Sequence, residues 1–180
     1  MKSVHRLTLS ALFLALGLIL PFITGQIPTI GRMLLPMHIP VLLCGLICGW
    51  EYGLGIGLIT PFLRSVLFHS PAMFPMAFAM AFELATYGAV IGWMYAKFKS
   101  KNLSSIYLSL LMAMVCGRVM YGLVMALITT LLHQPYSFEI FVTAAIISGI
   151  PGIIIQLILI PVIMLFLYRT GMIQSNEGQQ

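Results

Sequence analysis

The sequence predicts an all-α integral membrane protein, a compact bundle of six transmembrane helices with both termini in the cytoplasm. Its composition is 61% hydrophobic and 7% charged, with a mean hydropathy of +1.07, whereas charged residues make up about a quarter of a soluble globular domain. The apolar residues form long continuous runs, which favour membrane helices over a β-barrel. Because each span needs roughly 20 residues, the 180 residues leave room for one bundle with short loops.

The first apolar run predicts a helix over residues 6–24, which Lys2 and Arg6 introduce. A basic start before an apolar run also resembles a signal peptide. No A-x-A cleavage site follows, and the run is long enough to span, so we expect a retained first helix with a cytoplasmic N-terminus. Ala11 and Ala15 stand four residues apart in this helix, the spacing of small residues that lets another helix approach closely.

The second and third helices are predicted over residues 36–48 and 52–68, as a hairpin that turns near Glu51. His38 and Arg64 lie equally far from this turn, about 20 Å along each helix. We therefore expect the two side chains to meet at one level of the membrane. A protonatable ring beside a fixed cation predicts a binding site, because charge near hydrocarbon is costly without a role.

The fourth helix is predicted over residues 75–98 and is expected to be central, because small residues recur along one side of it. These small residues are Ala77, Ala81, Ala85, Ala89, Gly88 and Gly92. Glu83 lies within the helix, and Tyr87 follows one turn further along. An acidic side chain within a membrane helix is a candidate ligand-binding group.

Two longer apolar runs predict the fifth and sixth helices, over residues 104–132 and 140–168. The fifth helix carries Arg118 and Tyr121 near its middle, and the sixth carries Gln156. A span this long exceeds the thickness of the hydrocarbon layer, so the fifth helix is expected to tilt.

The distribution of basic residues sets the predicted orientation. The loop between the fourth and fifth helices is the most basic of the chain, and the positive-inside rule places it in the cytoplasm. The basic residues on this side are Lys2, Arg6, Lys97, Lys99, Lys101 and Arg169. Arg32 is the main exception. Residues 1–170 are therefore expected to form one transmembrane domain, and residues 171–180 a cytoplasmic tail.

The candidate substrate-binding residues are the polar side chains that stand out within the predicted helices. They are His38, Arg64, Glu83, Tyr87, Arg118, Tyr121 and Gln156. Charged side chains inside a membrane commonly line a path for a ligand or an ion. Structural alternatives stay open: a Glu83–Arg118 pair that only fixes two helices, an Arg64 that only reaches the headgroups, and tyrosines that only pack.

The sequence also excludes several classes of protein. It has no P-loop, no H-E-x-x-H or G-x-S-x-G motif and no aspartate, so it predicts no catalytic residues of an ATPase or a familiar hydrolase. We expect no metal or cofactor, since no His or acid completes a metal set around Cys44 and Cys48. The pI near 9.3 reflects cations that flank helices, so no nucleic-acid partner is expected. Uphill transport by nucleotide hydrolysis would need partner subunits.

Size, topology and several segments together resemble the substrate-binding S components of energy-coupling factor (ECF) vitamin transporters of the bacterial plasma membrane. The segments are the A-x-x-x-A pattern of Ala11 and Ala15, MHIPVLLCG at residues 37–45 and AFELATYG at residues 81–88. The resemblance implies that the Ala11/Ala15 face docks on a membrane coupling subunit, which joins two cytoplasmic ATPases. It also implies an outward-facing vitamin site and toppling of the S component to release the vitamin inside.

Within this family, the chain looks similar to the pantothenate-type S components. Arg118 or Arg64 would bind the carboxylate, and Glu83, Gln156 and the tyrosines would pair with hydroxyl and amide groups. Hydroxymethylpyrimidine, pyridoxine and a ribazole are alternative substrates that Glu83 also suits. Two other classes remain as alternatives: a stand-alone secondary carrier, and a membrane-embedded enzyme that uses a histidine or glutamate base.

Overall fold

The computed structural model describes residues 3–25, 36–132 and 149–170, which are almost entirely helical. The helices are α1 (Ser3–Gly25), α2 (His38–Cys48), α3 (Trp50–Phe68), α4 (Phe78–Lys97), α5 (Leu103–Leu131) and α6 (Ile150–Arg169), and a π-helical turn, Met73–Ala77, leads into α4. The described residues contain no β-strand. The all-α prediction is therefore confirmed for this part of the chain.

Four of the described helices are long and apolar enough to cross a membrane: α1, α4 with its π-helical turn, α5 and α6. The helix α2 is apolar but has only 11 residues. The sixth helix was predicted to start at residue 140, and residues 140–148 lie outside the described part, as do residues 171–180. A multi-pass membrane protein is therefore supported, while the count of six spans stays a prediction.

The break between α2 and α3 is a single residue, Gly49, with φ of 107° and ψ of 168°. Only glycine adopts this conformation without strain. The helix α3 therefore begins at Trp50, two residues before the predicted start at residue 52.

The helix α5 begins directly after Asn102. The side chain of Asn102 accepts a hydrogen bond from the Ser105 backbone N–H at 3.2 Å and so caps the N-terminus of this helix.

Helices α2, α3 and α4 touch backbone to backbone through glycines. A Cβ added at Gly88 of α4 would lie 2.2 Å from the Gly53 carbonyl oxygen of α3, and one added at Gly57 would lie 2.3 Å from the Leu84 carbonyl oxygen. Side chains cannot fit at such distances, so these glycines are what allow the contact. On its other side α4 packs against α5, which makes it the helix that most of the bundle shares.

Most of the basic residues in the described part of the chain lie at one end of the bundle. The C-terminal ends of α4 and α6 lie together, because the hydroxyl groups of Tyr95 and Tyr168 form a hydrogen bond. The backbone of Trp50 lies against α4 there, and Ser10 near the start of α1 contacts Cys44 of α2 at 3.6 Å. We call this the basic end, and it carries Arg6, Lys97, Lys99, Lys101 and Arg169.

Candidate functional site

A buried ion pair joins α4 to α5. Arg118 Nη1 lies 3.0 Å from Glu83 Oε1, and the two side chains are 14% and 2% exposed. Glu83 stands 14 residues before Lys97 in α4, which places it about 21 Å from the basic end at ~1.5 Å per residue. The pair therefore lies deep in the bundle, toward the end opposite the basic one.

His38 brings a third ionisable group to this pair from α2. It is the first residue of α2 and is 1% exposed. Its Nε2 lies 3.6 Å from Glu83 Oε1, beyond the usual range of a hydrogen bond. Its ring and the Tyr87 ring form a T-shaped contact, with ring centroids 5.1 Å apart and an angle of 69° between the ring planes. Glu83 and Tyr87 are one turn apart on α4 and so share a face.

Gly117 makes room for the Tyr87 ring. A Cβ added at Gly117 would lie 3.0 Å from Tyr87 Cε1 and Cζ, and Tyr87 is 1% exposed. Because Gly117 has no side chain, the Tyr87 ring fits against α5 directly beside Arg118. The ring and the guanidinium therefore share the space between α4 and α5. Gly117 was not among the predicted site residues, and its position directly before Arg118 was the available signal.

Buried polar atoms without hydrogen bonds concentrate in this region. Within the described residues they are His38 Nδ1 and Nε2, Arg118 Nε and Nη2, and Gln156 Nε2, and Glu83 Oε1 makes only the ion-pair contacts given above. Leaving a buried donor or acceptor unpaired costs about 1–3 kcal/mol, and more for a charged group. Such a set is typical of a site that awaits a polar ligand, and we call His38, Glu83, Tyr87 and Arg118 the buried polar cluster.

Arg118 has hydrogen-bond donors on two sides of its guanidinium group. Its Nη1 faces Glu83, whereas Nε and Nη2, which form one edge of the guanidinium, have no hydrogen-bond partner among the described residues. Two parallel N–H donors on one edge match the two oxygens of a carboxylate. The site can therefore accept an anionic group while Glu83 holds the opposite side of Arg118.

Two further residues that were predicted to bind substrate, Tyr121 and Gln156, lie on α5 and α6. Gln156 is 1% exposed on α6, and α6 packs against α2 and α5, the helices of His38 and Arg118. Tyr121 is half-buried on α5, three residues after Arg118. Both residues are thus carried by helices that border the buried polar cluster.

Arg64 lies elsewhere and joins α3 to α1. Its Nη1 donates a hydrogen bond to the Leu18 carbonyl oxygen at 2.7 Å. Its guanidinium carbon lies 4.9 Å from the centroid of the Phe22 ring and 5.7 Å from that of Phe68. Pro21 of α1 lacks an N–H and loosens the helix at this turn. Arg64 thus donates a hydrogen bond to the α1 backbone within one turn of Pro21.

The described residues show no contact between Arg64 and His38, although the hairpin was expected to bring the two together. Equal distance from the turn fixes the level of a residue along the helix axis, but it does not fix the direction of the side chain. His38 faces α4 and Arg64 faces α1. The described contacts of Arg64 are therefore structural, while His38 belongs to the buried polar cluster.

The small-residue face of α1 is open to contact. Ala11 and Ala15 are exposed, whereas Phe13 and Gly17 face the bundle and are buried. A Cβ added at Gly17 would lie 3.1 Å from the Thr60 methyl group, so α1 is attached to α3 on that side. The two alanines therefore lie where a further helix can approach.

A known family matches the chain over most of its length. The matching family is described as ECF transporter, substrate-specific component, and the match covers residues 5–164. No curated protein and no solved structure matches the chain. Such components bind small-molecule substrates and work with a coupling subunit and ATPases, and they are transporter components rather than enzymes. The chain therefore belongs to the substrate-specific components of ECF transporters.

Proposed function

We propose that this chain is the pantothenate-binding S component of an ECF importer. It takes pantothenate from the outside and delivers it with a coupling subunit and two ATPases. The observation that carries the proposal is the unpaired Nε–Nη2 edge of Arg118 inside the buried polar cluster. A buried pair of donors of this geometry calls for a carboxylate.

The other groups suit the rest of pantothenate. Its hydroxyl groups can donate to the Glu83 carboxylate, whose Oε1 also faces Arg118, and pair with a His38 ring nitrogen, which has no hydrogen-bond partner among the described residues. Its amide carbonyl can accept from Gln156 Nε2. Tyr87 and Tyr121 would pack along the ligand. One carboxylate, two hydroxyls and one amide thus find complementary groups.

The alternative substrates satisfy the site less well. Hydroxymethylpyrimidine, pyridoxine and a ribazole carry ring nitrogens and hydroxyl groups that pair with Glu83, but they have no carboxylate. Each would leave the Arg118 edge buried and unpaired, at a cost of about 1–3 kcal/mol or more. Their binding would therefore use only the Glu83 side of the cluster.

The positions of the charges support an orientation. If the basic end faces the cytoplasm, the chain obeys the positive-inside rule and both termini lie inside. Residues 1–170 then form one domain of six spans in the bacterial plasma membrane, with residues 171–180 as a cytoplasmic tail. Glu83 and Arg118 lie in the outer part of the membrane, where a substrate from outside can reach them. The exposed Ala11/Ala15 face of α1 is the docking surface for the coupling subunit.

Thermal stabilisation tests the proposal. The detergent-purified chain is heated with a panel of vitamins that includes pantothenate, hydroxymethylpyrimidine and pyridoxine. A ligand that binds only the folded state stabilises it by about 2.7 kcal/mol at a concentration of 100 Kd. We expect selective stabilisation by pantothenate. Selective stabilisation by a pyrimidine or a pyridine would overturn the substrate, and no response from a folded sample would overturn the binding role.

A further inference from the structure

A surface cavity lies at the basic end, away from the buried polar cluster. It is an apolar cleft of about 320 Å³ lined by Trp50, Ala89, Val90 and Trp93. The two indole rings are 45% and 49% exposed. We call it the tryptophan cleft. Tryptophan is enriched where the hydrocarbon layer meets the headgroups, and the two indoles of the cleft are typical of that depth.

The cleft is built by two glycines. Gly49 ends α2 with a φ of 107°, so that Trp50 begins a new helix directly beside α4. A Cβ added at Gly92 would lie 2.6 Å from the Trp50 backbone nitrogen. The missing side chain lets the start of α3 approach α4, and Trp93 follows Gly92 on the outer face. The close backbone contact therefore brings the two tryptophans that wall the cleft next to each other.

A fixed positive charge stands at the mouth of the cleft. Lys97 Nζ lies 3.5 Å from the centroid of the Trp93 ring, a cation–π contact between residues one turn apart. Lys101 is engaged elsewhere: it lies over the Tyr95 ring and donates to the Tyr95 carbonyl oxygen, and burial lowers its pKa. Lys97 thus places its ammonium group against one wall of the cleft.

We propose that the tryptophan cleft binds an anionic phospholipid. An acyl chain lies between Trp50 and Trp93, and the phosphate pairs with Lys97. Basic pockets between membrane helices bind anionic headgroups through the same combination of charge and apolar surface. A partner helix fits less well, because tight helix contacts need small residues at the surface, and two bulky indoles form the rim here. This site is independent of the substrate proposed above.

Native mass spectrometry of the full chain tests the site. The protein is exchanged into detergent with equal amounts of phosphatidylglycerol and phosphatidylcholine that carry the same acyl chains. We expect the wild-type chain to retain phosphatidylglycerol preferentially. Lys97→Gln should lower this retention about fivefold, the factor expected for one lysine near an anionic surface, and Lys97→Arg should preserve it. Trp93→Leu should lower retention of either lipid, because it removes one wall.

Arg169→Gln is the matched control, since it removes one positive charge from the same end. Arg169 follows Tyr168, which bonds Tyr95, and Tyr95 lies about 200° around α4 from Trp93. Equal losses in Lys97→Gln and Arg169→Gln would overturn the site in favour of a general charge effect. Equal retention of both lipids by the wild type would overturn the anionic headgroup. Loss of assembly with the coupling subunit, without any change in lipid retention, would assign the cleft to a protein partner instead.

Discussion

The substitution Arg118→Gln tests whether Arg118 binds the ligand or only fixes α4 against α5. The wild-type guanidinium has one nitrogen 3.0 Å from Glu83 and an unpaired edge for the substrate. A hydrogen bond to a charged group contributes about 1.5–3 kcal/mol. Loss of two such bonds to the pantothenate carboxylate should cost at least about 3 kcal/mol, which is more than a 100-fold rise in Kd.

The same substitution also lowers stability, because it leaves the 2% exposed Glu83 without its cation. Breaking a buried pair costs about 3–5 kcal/mol, whereas replacing both partners by neutral groups is far milder. The double variant Glu83→Gln/Arg118→Gln should therefore recover much of the thermal stability while pantothenate binding stays weak. This divergence between stability and affinity is the signature of a residue with both roles.

The assay is isothermal titration of monodisperse, folded protein, paired with thermal unfolding of the same samples. Arg64→Gln is the control, since Arg64 is a buried arginine that binds the Leu18 carbonyl oxygen of α1. It should lower the unfolding temperature and leave the Kd for pantothenate within about threefold. If Arg118→Gln behaves in the same way, with unchanged Kd in the folded fraction, the buried pair only fixes α4 against α5 and the reasoning fails.

Two further predictions concern helix contacts. The double variant Ala11→Trp/Ala15→Trp should abolish co-purification with the coupling subunit and leave pantothenate binding intact. The control Val115→Trp, at a 61% exposed position of α5, should change neither co-purification nor binding. If the double variant still assembles, α1 is not the docking helix. Gly88→Ala should lower the unfolding temperature sharply, since its Cβ would lie 2.2 Å from a backbone oxygen, while Gly55→Ala faces open space and should gain up to about 1 kcal/mol from helix propensity. Equal thermal shifts in the two glycine variants would show that α3 and α4 are not in backbone contact.

The sequence predicted the all-α class correctly, because long apolar runs are local signals. It also placed Glu83 and Arg118 within neighbouring helices, where the structure pairs them. The direction of each side chain was beyond it. His38 and Arg64 stand at matching distances from the α2–α3 turn, yet one faces α4 and the other faces α1. The face that each helix turns toward its neighbours depends on packing. A helix that is apolar on all sides has no hydrophobic periodicity from which this face can be predicted.

The glycine contacts show a similar limit. The spacing of Ala77, Ala81 and Ala85 predicted a packed face, and these alanines are buried. The closest approach nevertheless comes from Gly53 and Gly88, whose backbones meet. Of the glycines near the start of α3, Gly55 has nothing within 4 Å of its Cβ position. Composition thus indicates that helices pack closely, while the residues that touch depend on which faces meet in three dimensions.

The most direct test of the central claim compares pantothenate with its alcohol analogue, in which a hydroxymethyl group replaces the carboxylate. Both are titrated into the full-length wild-type protein and into Arg118→Gln. The wild type should bind pantothenate at least about 100-fold more tightly than the alcohol, because only the carboxylate satisfies both donors of Arg118. Arg118→Gln should remove most of this difference. Equal affinity of the wild type for the two compounds would contradict recognition of a carboxylate by the buried polar cluster.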